Sequence, residues 1–383
     1  MDTTPISPQP GSTIDPASAV RRRDVLRRAR EEFTAGNNLS LTDPRRMGKT
    51  VLLDLLVDDP GAGLLAIKID YEGVRSSTEF VLRTLEGLRA HRGLASRTRD
   101  RWRTFFDNVD LDLGLGPVKL GVAATGRSAT ALLSDVILAV EEHLPPEALL
   151  VVAMDEVPIA IANIKDNEGP AAAHQLLQCL RELRRRRSRL RWILCGSIGF
   201  HHVLRACGAT EGVINDLVNL PLGPMTQPEA VELAHRLLLG IGHTPTDPAV
   251  SEMVRVTERI PFLLHALAHR LRESGLATDA TRVVSVFDEF VGDREDSRAL
   301  THLVTRLDPL YEGRVREAEL LLDRVATAGS VPTADVLTQG SDQIRLILDD
   351  LVDDHYLVEG ADAIRWRYDV LRRVWHRRRR LSS

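Results

Sequence analysis

The sequence predicts an α/β fold with a parallel sheet at its centre, followed by two smaller and mainly helical domains. From about residue 39 to residue 200, short apolar runs such as 64–70 and 148–154 alternate with helical patterns. These runs are continuously apolar, which is typical of parallel strands that helices cover on both faces. After about residue 222 the strand patterns stop and helical patterns follow.

Individual elements follow from the local pattern along the chain. Apolar residues at helical spacing predict a first helix at 20–33, which Gly36-Asn37-Asn38 ends. The strands predicted for the core are 39–41, 64–70, 148–154 and 191–195. The helices predicted between them are 51–56, 78–91, 129–143 and 171–187. Further helices are predicted at 228–239, 248–256, 261–273 and 283–290, and in the last part of the chain at 314–328, 333–338 and 342–354.

The domain organisation combines these elements with three compositional signals. Residues 1–17 are rich in proline, serine and threonine, which predicts disorder. Near 107–122, apolar residues alternate on both sides of Gly116-Pro117, which indicates a β-hairpin inserted into the core. Three helices followed by two short strands are typical of a winged helix. The predicted domains are a disordered N-terminus (1–17), an α/β core (18–222), a helical lid (223–298) and a winged helix with an arginine-rich tail (299–383).

Composition narrows the class of protein. Hydrophobic residues make up 43% and charged residues 27% of the 383-residue chain, which is ordinary for a globular protein. The formal net charge of -4 excludes a global attraction to nucleic acid or to an acidic membrane surface. Three cysteines without metal-ligand spacing argue against a disulfide framework. Because the chain also lacks a signal-peptide pattern and a membrane-spanning apolar run, we expect a cytoplasmic protein without a membrane partner.

A phosphate-binding loop is predicted between the strand at 39–41 and the helix that follows it. Such loops have a glycine, four residues, then Gly-Lys-Ser/Thr, and Gly48, Lys49 and Thr50 match the second half. Backbone N–H groups cradle the phosphates, the lysine lies between the β- and γ-phosphates, and the hydroxyl binds Mg²⁺. The chain has only four lysines against many arginines, so a lysine here is informative. The predicted cofactors are ATP and Mg²⁺, and the predicted binding positions are Pro44, Arg45, Arg46, Met47, Gly48, Lys49, Thr50 and Val51.

The first glycine of this loop pattern is absent, because Asp43 occupies its position. The substitution removes a residue that tolerates positive φ and places a carboxylate near a phosphate site. Two interpretations follow. Either Asp43 points away and bonds its own loop, which leaves nucleotide binding intact, or binding is weakened and Arg45 and Arg46 offset the added negative charge.

Acidic residues end the predicted strand at 148–154. Asp155 is the candidate ligand of the Mg²⁺ shell, and Glu156 is the candidate that polarises the attacking water. The next strand ends in Cys195-Gly196-Ser197, which places Ser197 near the γ-phosphate or the water. The predicted catalytic residues are therefore Glu156, Lys49 and Ser197, and the predicted metal ligands are Thr50 and Asp155. The alternatives are that the acids only end a strand and that Ser197 belongs to a simple turn.

Taken together, these motifs resemble the archaeal-ATPase-like branch of the STAND and AAA-type P-loop ATPases, over residues 18–378. The resemblance rests on Pro44-Arg45-Arg46-Met47-Gly48-Lys49-Thr50, the strand that ends in Asp155-Glu156, and Tyr368-Asp369-Val370-Leu371. It implies an ATPase that acts as a nucleotide-dependent switch, associates with itself and regulates a separate effector protein, in some cases in mobile-element or phage-defence settings. Two positions depart from the family pattern: Asp43 in the loop, and Arg259, which stands where members usually carry glycine before the Ile-Pro step.

Two other functions remain open from the sequence. One is a nucleotide-binding scaffold that does not hydrolyse ATP. The other is a DNA-dependent ATPase that uses the basic tail, at Arg372, Arg373 and 377–380, to grip nucleic acid. The predicted helix 342–354 carries five aspartates against one arginine, which favours protein contact over groove binding. The arginine-rich stretch 181–191 is interpreted as a solvated helix face, a subunit contact or a phosphate-binding patch.

Overall fold

The computed structural model describes residues 3–12, 14–90, 128–186, 188–275, 278–293, 300, 307, 311, 313–337 and 342–381. The chain folds into two compact units. We call the first the sheet unit (Arg23–Thr42 and Leu52–Pro221) and the second the loop unit (Met1–Arg22, Asp43–Val51 and Leu222–Ser383). The hairpin predicted at 107–122 and the boundary predicted at residue 298 lie outside the described residues.

The sheet unit contains a five-stranded parallel sheet, which confirms the predicted α/β class. Its strands lie in the order β2-β3-β4-β1-β5, so β4 is inserted between β3 and β1. Leu41 of β1 pairs with Cys195 of β4, and Met154 of β3 pairs with Leu194. The carboxyl ends of these three strands therefore lie at the same edge of the sheet. The strands are β1 (Asn38–Leu41), β2 (Leu64–Asp70), β3 (Leu149–Asp155), β4 (Leu190–Cys195) and β5 (Leu217–Asn219).

Helices flank this sheet, and the central strand is buried accordingly. Residues 150–154 of β3 are fully buried, as a strand covered on both faces must be. The helices are α1 (Arg23–Ala35), α2 (Lys49–Asp58), α3 (Ser77–Ala90), α4 (Ala129–His143), α5 (Val157–Glu168), α6 (Pro170–Arg185) and α7 (Phe200–Ala206). Helix α2 begins in the loop unit and continues into the sheet unit. β5 is a short strand that the sequence did not indicate, because its two polar-flanked apolar residues have no strand pattern.

Three arginines of the stretch 181–191 satisfy groups within the sheet unit. Arg184 donates to both carboxylate oxygens of Asp216 at 2.8 and 2.9 Å and to the Val213 carbonyl at 2.6 Å. Arg189 donates to three carbonyls at the end of α4, and Arg191 donates to the Phe33 carbonyl at 2.8 Å. These side chains replace water at buried or terminal carbonyls. Three of the seven arginines in this stretch are therefore used for internal structure.

In the loop unit, residues after Leu222 first form a group of four helices. They are α8 (Gln227–Gly240), α9 (Asp247–Val256), α10 (Pro261–Ser274) and α11 (Ala280–Gly292). Helix α8 begins with a capping box, in which Thr226 and Glu229 bond each other's backbone N–H groups. Helix α10 ends at Gly275, whose φ of 63° is the left-handed conformation that glycine adopts at low cost.

The last part of the loop unit has the element order predicted for a winged helix. Helix α12 (Val315–Ala328) is followed by β6 (Ser330–Pro332), α13 (Thr333–Leu337), α14 (Asp342–Asp353), β7 (Leu357–Glu359), β8 (Ala363–Trp366) and α15 (Asp369–Arg379). The strands form an antiparallel sheet in the order β6-β8-β7. Strand β6 was not predicted, because three residues that include a proline carry no strand pattern.

The arginines of the C-terminal tail lie on α15 and contact other parts of the loop unit. Arg372, Arg373 and Arg379 form ion pairs with Asp369, Asp288 and Asp323 at 2.7, 2.6 and 3.0 Å. Arg377 donates to the Val291 carbonyl. Three of the six arginines in the predicted basic cluster thus have acidic partners. Among the helices in the described part of the chain, none is long and apolar enough to cross a membrane.

The N-terminal segment differs from its predicted disorder. Ile6 and Pro8 are buried, and the Ile6 N–H donates to the Arg236 carbonyl of α8 at 3.0 Å. The Gln9 N–H donates to Nδ1 of His265 on α10 at 3.2 Å. Composition alone could not predict that this segment packs on α8 and α10. Two apolar side chains and a few hydrogen bonds suffice to order a segment once the helices that it contacts have folded.

His265 makes the stability of the loop unit depend on pH. Burial lowers its pKa from 6.5 to about 4, so the unfolded chain binds the proton first as the pH falls. Stability is therefore complete above pH 6.5 and is lost as the pH falls from 6.5 towards 4. At pH 5, we expect a loss of about 2 kcal/mol from this group.

Chemical unfolding at pH 7.5 and pH 5, in the natural protein and in His265→Asn, measures this contribution. Asparagine retains an acceptor for the Gln9 N–H but does not titrate. The natural protein should lose about 2 kcal/mol more than the variant between the two pH values. Equal losses in both proteins would contradict the assignment.

Candidate functional site

The predicted phosphate-binding loop follows the carboxyl end of β1 and runs into α2. Gly48 has a φ of 92°, a conformation for which glycine is suited, and Arg46 also has a positive φ of 70°. Met47 is buried and anchors the loop. The Lys49 ammonium donates to the carbonyls of Asp43 and Pro44, the latter at 2.8 Å, and the side chain is only 6% exposed. The loop therefore curls around a lysine ammonium.

Asp43 ties this loop to the segment that precedes α8. Its carboxylate accepts from the N–H groups of Leu222 and Gly223, each at 2.8 Å, and the residue is 5% exposed. Its φ is not positive, so the glycine of the usual pattern is not required for backbone conformation here. Of the two interpretations, the idea that Asp43 bonds its own loop is wrong in its detail: its partners lie about 180 residues later in the chain.

Arg22 completes this tie. Its guanidinium donates to the Leu222 and Pro224 carbonyls at 2.7 and 3.0 Å and forms an ion pair with Glu229 at 3.1 Å. Burial lowers the pKa of Arg22, while the charges of Glu229 and Asp43 raise it. The Asp43 carboxylate thus accepts hydrogen bonds from two N–H groups and interacts electrostatically with the buried Arg22 guanidinium. It is already satisfied within the loop unit.

The two loop arginines have different surroundings. The Arg46 guanidinium lies over the Phe262 ring, 5.0 Å from its centroid, and against Gly11. Arg45 is half-buried and has no ion pair or hydrogen bond among the described residues. The prediction that both arginines offset the Asp43 charge therefore finds no support in their contacts. Phosphate binding by Arg45 stays a prediction.

The acidic pair and Ser197 lie together in the sheet unit. Asp155 is buried at the end of β3, and its Oδ1 accepts from the Glu156 N–H at 3.1 Å. Oε2 of Glu156 accepts from both the N–H and the hydroxyl of Ser197, at 3.1 and 2.8 Å. Glu156 has a φ of 57°, a left-handed conformation that costs about 1 kcal/mol or more outside glycine. Such local strain is common at functional sites.

Gly196 allows this arrangement. A β-carbon at this position would lie 2.5 Å from both Cδ and Cγ of Pro158, at the beginning of α5. Only glycine therefore lets the end of β4 pass close enough to α5 for Ser197 to reach Glu156. The sequence had named Asp155, Glu156 and Ser197 from their positions at strand ends, and the structure brings these three together.

The other predicted binding positions precede or follow Lys49 in the sequence. Pro44 supplies a carbonyl to Lys49, Thr50 is exposed in the first turn of α2, and Val51 is half-buried behind it. A Gly48 β-carbon would lie 3.7 Å from Cγ of Pro261, so the loop also approaches the beginning of α10. Nucleotide and metal binding by these residues stays a prediction.

His355 is a loop-unit residue that the sequence did not single out. It follows α14 with a φ of 63°. Burial is the largest cause that lowers its pKa; the charges of Asp43 and Asp354 raise the pKa, and those of Arg367 and Lys49 lower it. A lone histidine after a run of acids has no pattern that marks it, so only the fold could reveal which charges act on it.

Arg259, the second departure from the family pattern, has the backbone conformation for which glycine is suited. Its φ is 62° and that of Glu258 is 50°. The Arg259 carbonyl accepts from the Met225 N–H at 3.0 Å, while its side chain is exposed. The Glu258 carboxylate accepts from the Asp369 and Val370 N–H groups, each at 3.0 Å, and so caps α15. A role for the Arg259 side chain as a sensor stays a prediction.

Comparison with known proteins relates this architecture to solved structures. Neither protein-family models nor curated protein sequences show a match. The Walker-type ATPase PABY2304 of Pyrococcus abyssi is similar with a TM-score of 0.62 and 16% identity, over 98% of this chain and 99% of that one. The ORC2 protein of Aeropyrum pernix, in its ADPNP-ADP complexes, is similar with a TM-score of 0.50 and 12% identity, over 95% and 96%.

At these identities the similarity concerns the fold. It extends over nearly the whole chain, including the parts after residue 222. The chain therefore has the P-loop NTPase fold, a parallel sheet with flanking helices. Strand β1 leads into the Gly-Lys-Thr segment, and β3, which β4 separates from β1, ends in the acidic pair.

Proposed function

We propose that this protein binds ATP through residues 44–51 and hydrolyses it. The observation that carries the proposal is the Lys49 ammonium held inside the loop by the Asp43 and Pro44 carbonyls, directly before the first turn of α2. A buried cation with backbone acceptors is positioned to exchange them for phosphate oxygens, which are stronger charge-assisted partners. The N-terminus of α2 adds a partial positive charge to the same place.

Charge at the loop favours a polyphosphate. Lys49 and Arg45 supply two cations, whereas the Asp43 carboxylate is engaged by two N–H groups and lies near Arg22. The carboxylate that the sequence placed close to the phosphates is therefore compensated before a ligand binds. The fold relative from Aeropyrum pernix is named in complexes with ADPNP and ADP, which supports testing adenine nucleotides first.

The donor set also fits Mg²⁺. The candidates are the Thr50 hydroxyl and the Asp155 carboxylate, both hard oxygen ligands of the kind that Mg²⁺ prefers. When bound, Mg²⁺ would neutralise negative charge on the phosphates. In this proposal Thr50 is the candidate ligand in the loop unit, Asp155 is the candidate ligand in the sheet unit, and Lys49 stabilises phosphate charge from the loop.

Glu156 is the proposed base for water. Ser197 fixes the carboxylate through Oε2, and Oε1 has no hydrogen bond among the described residues. That oxygen is free to accept a proton from a water molecule, and Ser197 orients the group. Ser197 is therefore a positioning residue for Glu156.

A switch function is the finer part of the proposal. The phosphate-binding loop, helices α8 to α11 and the winged-helix elements belong to one compact unit. A conformational change of the loop can therefore alter the positions of these helices. We infer that the nucleotide state regulates self-association or a separate effector protein. The exposed Asp342 and Asp353 at the two ends of α14 fit a protein partner better than nucleic acid.

The central test compares ATP binding and phosphate release in the natural protein, in Glu156→Gln and in Glu142→Gln. Glutamine keeps an acceptor for Ser197 but cannot take up a proton at neutral pH. Phosphate release should fall by about 100-fold or more in Glu156→Gln, with ATP affinity unchanged. Glu142 is an exposed residue of α4, so its variant should match the natural protein. Natural turnover in Glu156→Gln would remove Glu156 from the mechanism.

A non-hydrolysing nucleotide-binding scaffold is the second candidate. It would follow if the two hydrogen bonds from Ser197 kept the Glu156 carboxylate from reaching the attacking water. ATP binding without phosphate release, in the presence of a co-purified partner and of DNA as well, would select this candidate. A DNA-dependent ATPase is less supported, because three of the six tail arginines are ion-paired within the loop unit.

A further inference from the structure

The N-terminal segment runs across two helices of the loop unit and reaches the phosphate-binding loop. We call residues 4–11 the strap. On α8, the Ile6 N–H donates to the Arg236 carbonyl at 3.0 Å, and Nε of Arg236 donates back to the Thr4 carbonyl at 2.9 Å. Two reciprocal hydrogen bonds and the buried Ile6 side chain fix this first part of the strap.

Gly240, at the end of α8, shows how closely the strap is seated. A β-carbon at Gly240 would overlap the backbone carbonyl of Ile6. Any residue other than glycine must therefore displace either the strap or the helix end. By contrast, a β-carbon at Gly292, at the end of α11, would meet no neighbour within 4 Å.

The middle of the strap is attached to α10. The Gln9 N–H donates to Nδ1 of His265, a residue that is 3% exposed. Because Nδ1 accepts, the ring carries no proton at this nitrogen in the attached state. The strap thus contacts α8 and α10 through polar groups that are buried or partly buried.

The far end of the strap contacts the loop itself. Gly11 has a φ of 80°, and a β-carbon there would lie 2.5 Å from Nη1 of Arg46. The same guanidinium lies over the Phe262 ring of α10, 5.0 Å from its centroid. Arg46 is therefore enclosed by the strap on one side and by α10 on another, and its backbone holds a positive φ of 70°.

We propose that the strap holds Arg46 against Phe262 and so keeps the phosphate-binding loop in the shape that retains nucleotide. This inference rests on the proposed function, because it assigns a regulatory element to the same loop. A loop held in its binding conformation loses less conformational freedom when a ligand binds, which lengthens the residence time of that ligand. Release of the strap should loosen the loop and speed nucleotide dissociation.

The first experiment changes the strap without touching the loop. Ile6→Asp places a charge where the side chain is buried, and Ser7→Asp places the same charge one residue later, where the side chain is exposed. Dissociation of fluorescent ADP should be about five-fold faster or more in Ile6→Asp and unchanged in Ser7→Asp. An unchanged or slower rate in Ile6→Asp, or an equal acceleration in both variants, would overturn the proposal.

The second experiment changes the helix instead of the strap. Gly240→Ala should displace the strap and accelerate dissociation as Ile6→Asp does, whereas Gly292→Ala should behave like the natural protein. Hydrogen exchange of peptides covering residues 3–12 and 43–49, measured without nucleotide, should be faster in Ile6→Asp and Gly240→Ala only. A displaced strap with unchanged exchange at 43–49 would refute its action on the loop.

The two proposals fail in different ways. If the natural protein binds no adenine nucleotide, the proposed function fails, while exchange at 43–49 still shows whether the strap holds the loop. If the natural protein binds nucleotide and release is insensitive to a displaced strap, only the strap proposal fails.

Discussion

Replacement of Lys49 by alanine is expected to weaken ATP binding by about 100-fold or more. The ammonium is almost fully enclosed by the loop, where it donates to the Asp43 and Pro44 carbonyls. Loss of charge-assisted hydrogen bonds to phosphate is worth about 3 kcal/mol, which corresponds to roughly that factor in affinity. Alanine also leaves the two carbonyls without their donor, so the loop loses part of the structure that receives the phosphates.

Titration calorimetry with ATP and Mg²⁺ measures this effect, and Lys165→Ala is the matched control. Lys165 lies on α5 and forms an ion pair with Asp166 at 2.7 Å, so its loss removes a lysine from the same chain without touching the loop. The control should bind as the natural protein does. Far-ultraviolet circular dichroism establishes that both variants are folded. An unchanged affinity in a folded Lys49→Ala would show that the loop is not the phosphate site.

Asp43→Gly, which restores the usual loop pattern, is expected to destabilise the protein by about 3 kcal/mol or more. The Asp43 carboxylate accepts from the Leu222 and Gly223 N–H groups and helps to balance the buried Arg22. Glycine would leave the Leu222 and Gly223 N–H groups without their acceptor and would remove one of the negative charges that balance the buried Arg22 guanidinium. The backbone gains nothing, because the φ of Asp43 is not positive.

Denaturant unfolding of Asp43→Gly and of Asp43→Asn separates the contribution of the hydrogen bonds to stability from that of the negative charge. Asparagine retains one acceptor oxygen but no charge, so its loss of stability should lie between those of the natural protein and Asp43→Gly. ATP affinity of the folded variants should change less than stability, because Asp43 does not face the phosphates in this proposal. A glycine variant as stable as the natural protein would show that the tie from the loop to Leu222 is energetically unimportant.

Much of the fold could be predicted from local patterns. The central strands are continuously apolar and long enough to be recognised, and the residues at their carboxyl ends follow directly, which is why Asp155, Glu156 and Ser197 could be named before the fold was known. Short strands were missed, because three residues at β5 and three at β6 carry too little pattern. Their pairing is determined by neighbouring strands.

The partners of charged residues could not be predicted in the same way. Arginine in a basic stretch has the same local sequence whether it is solvated or buried, and Arg184 and Arg189 turned out to satisfy groups inside the sheet unit. The same holds for the tail, where the acidic partners of Arg373 and Arg379 come from elements more than 50 residues away. Long-range ion pairs leave no trace in spacing.

The sequence by itself determined the position of the predicted phosphate-binding loop, because Gly48, Lys49 and Thr50 are recognised by residue type and by their place between a strand and a helix. It also raised the question of Asp43 without the means to answer it. Only the tertiary structure decided that this carboxylate bonds the backbone at Leu222 and Gly223, and that the N-terminal strap reaches Arg46. The physical reason is that both contacts join residues far apart in the chain, and their energies depend on burial and geometry that exist only once the chain has folded.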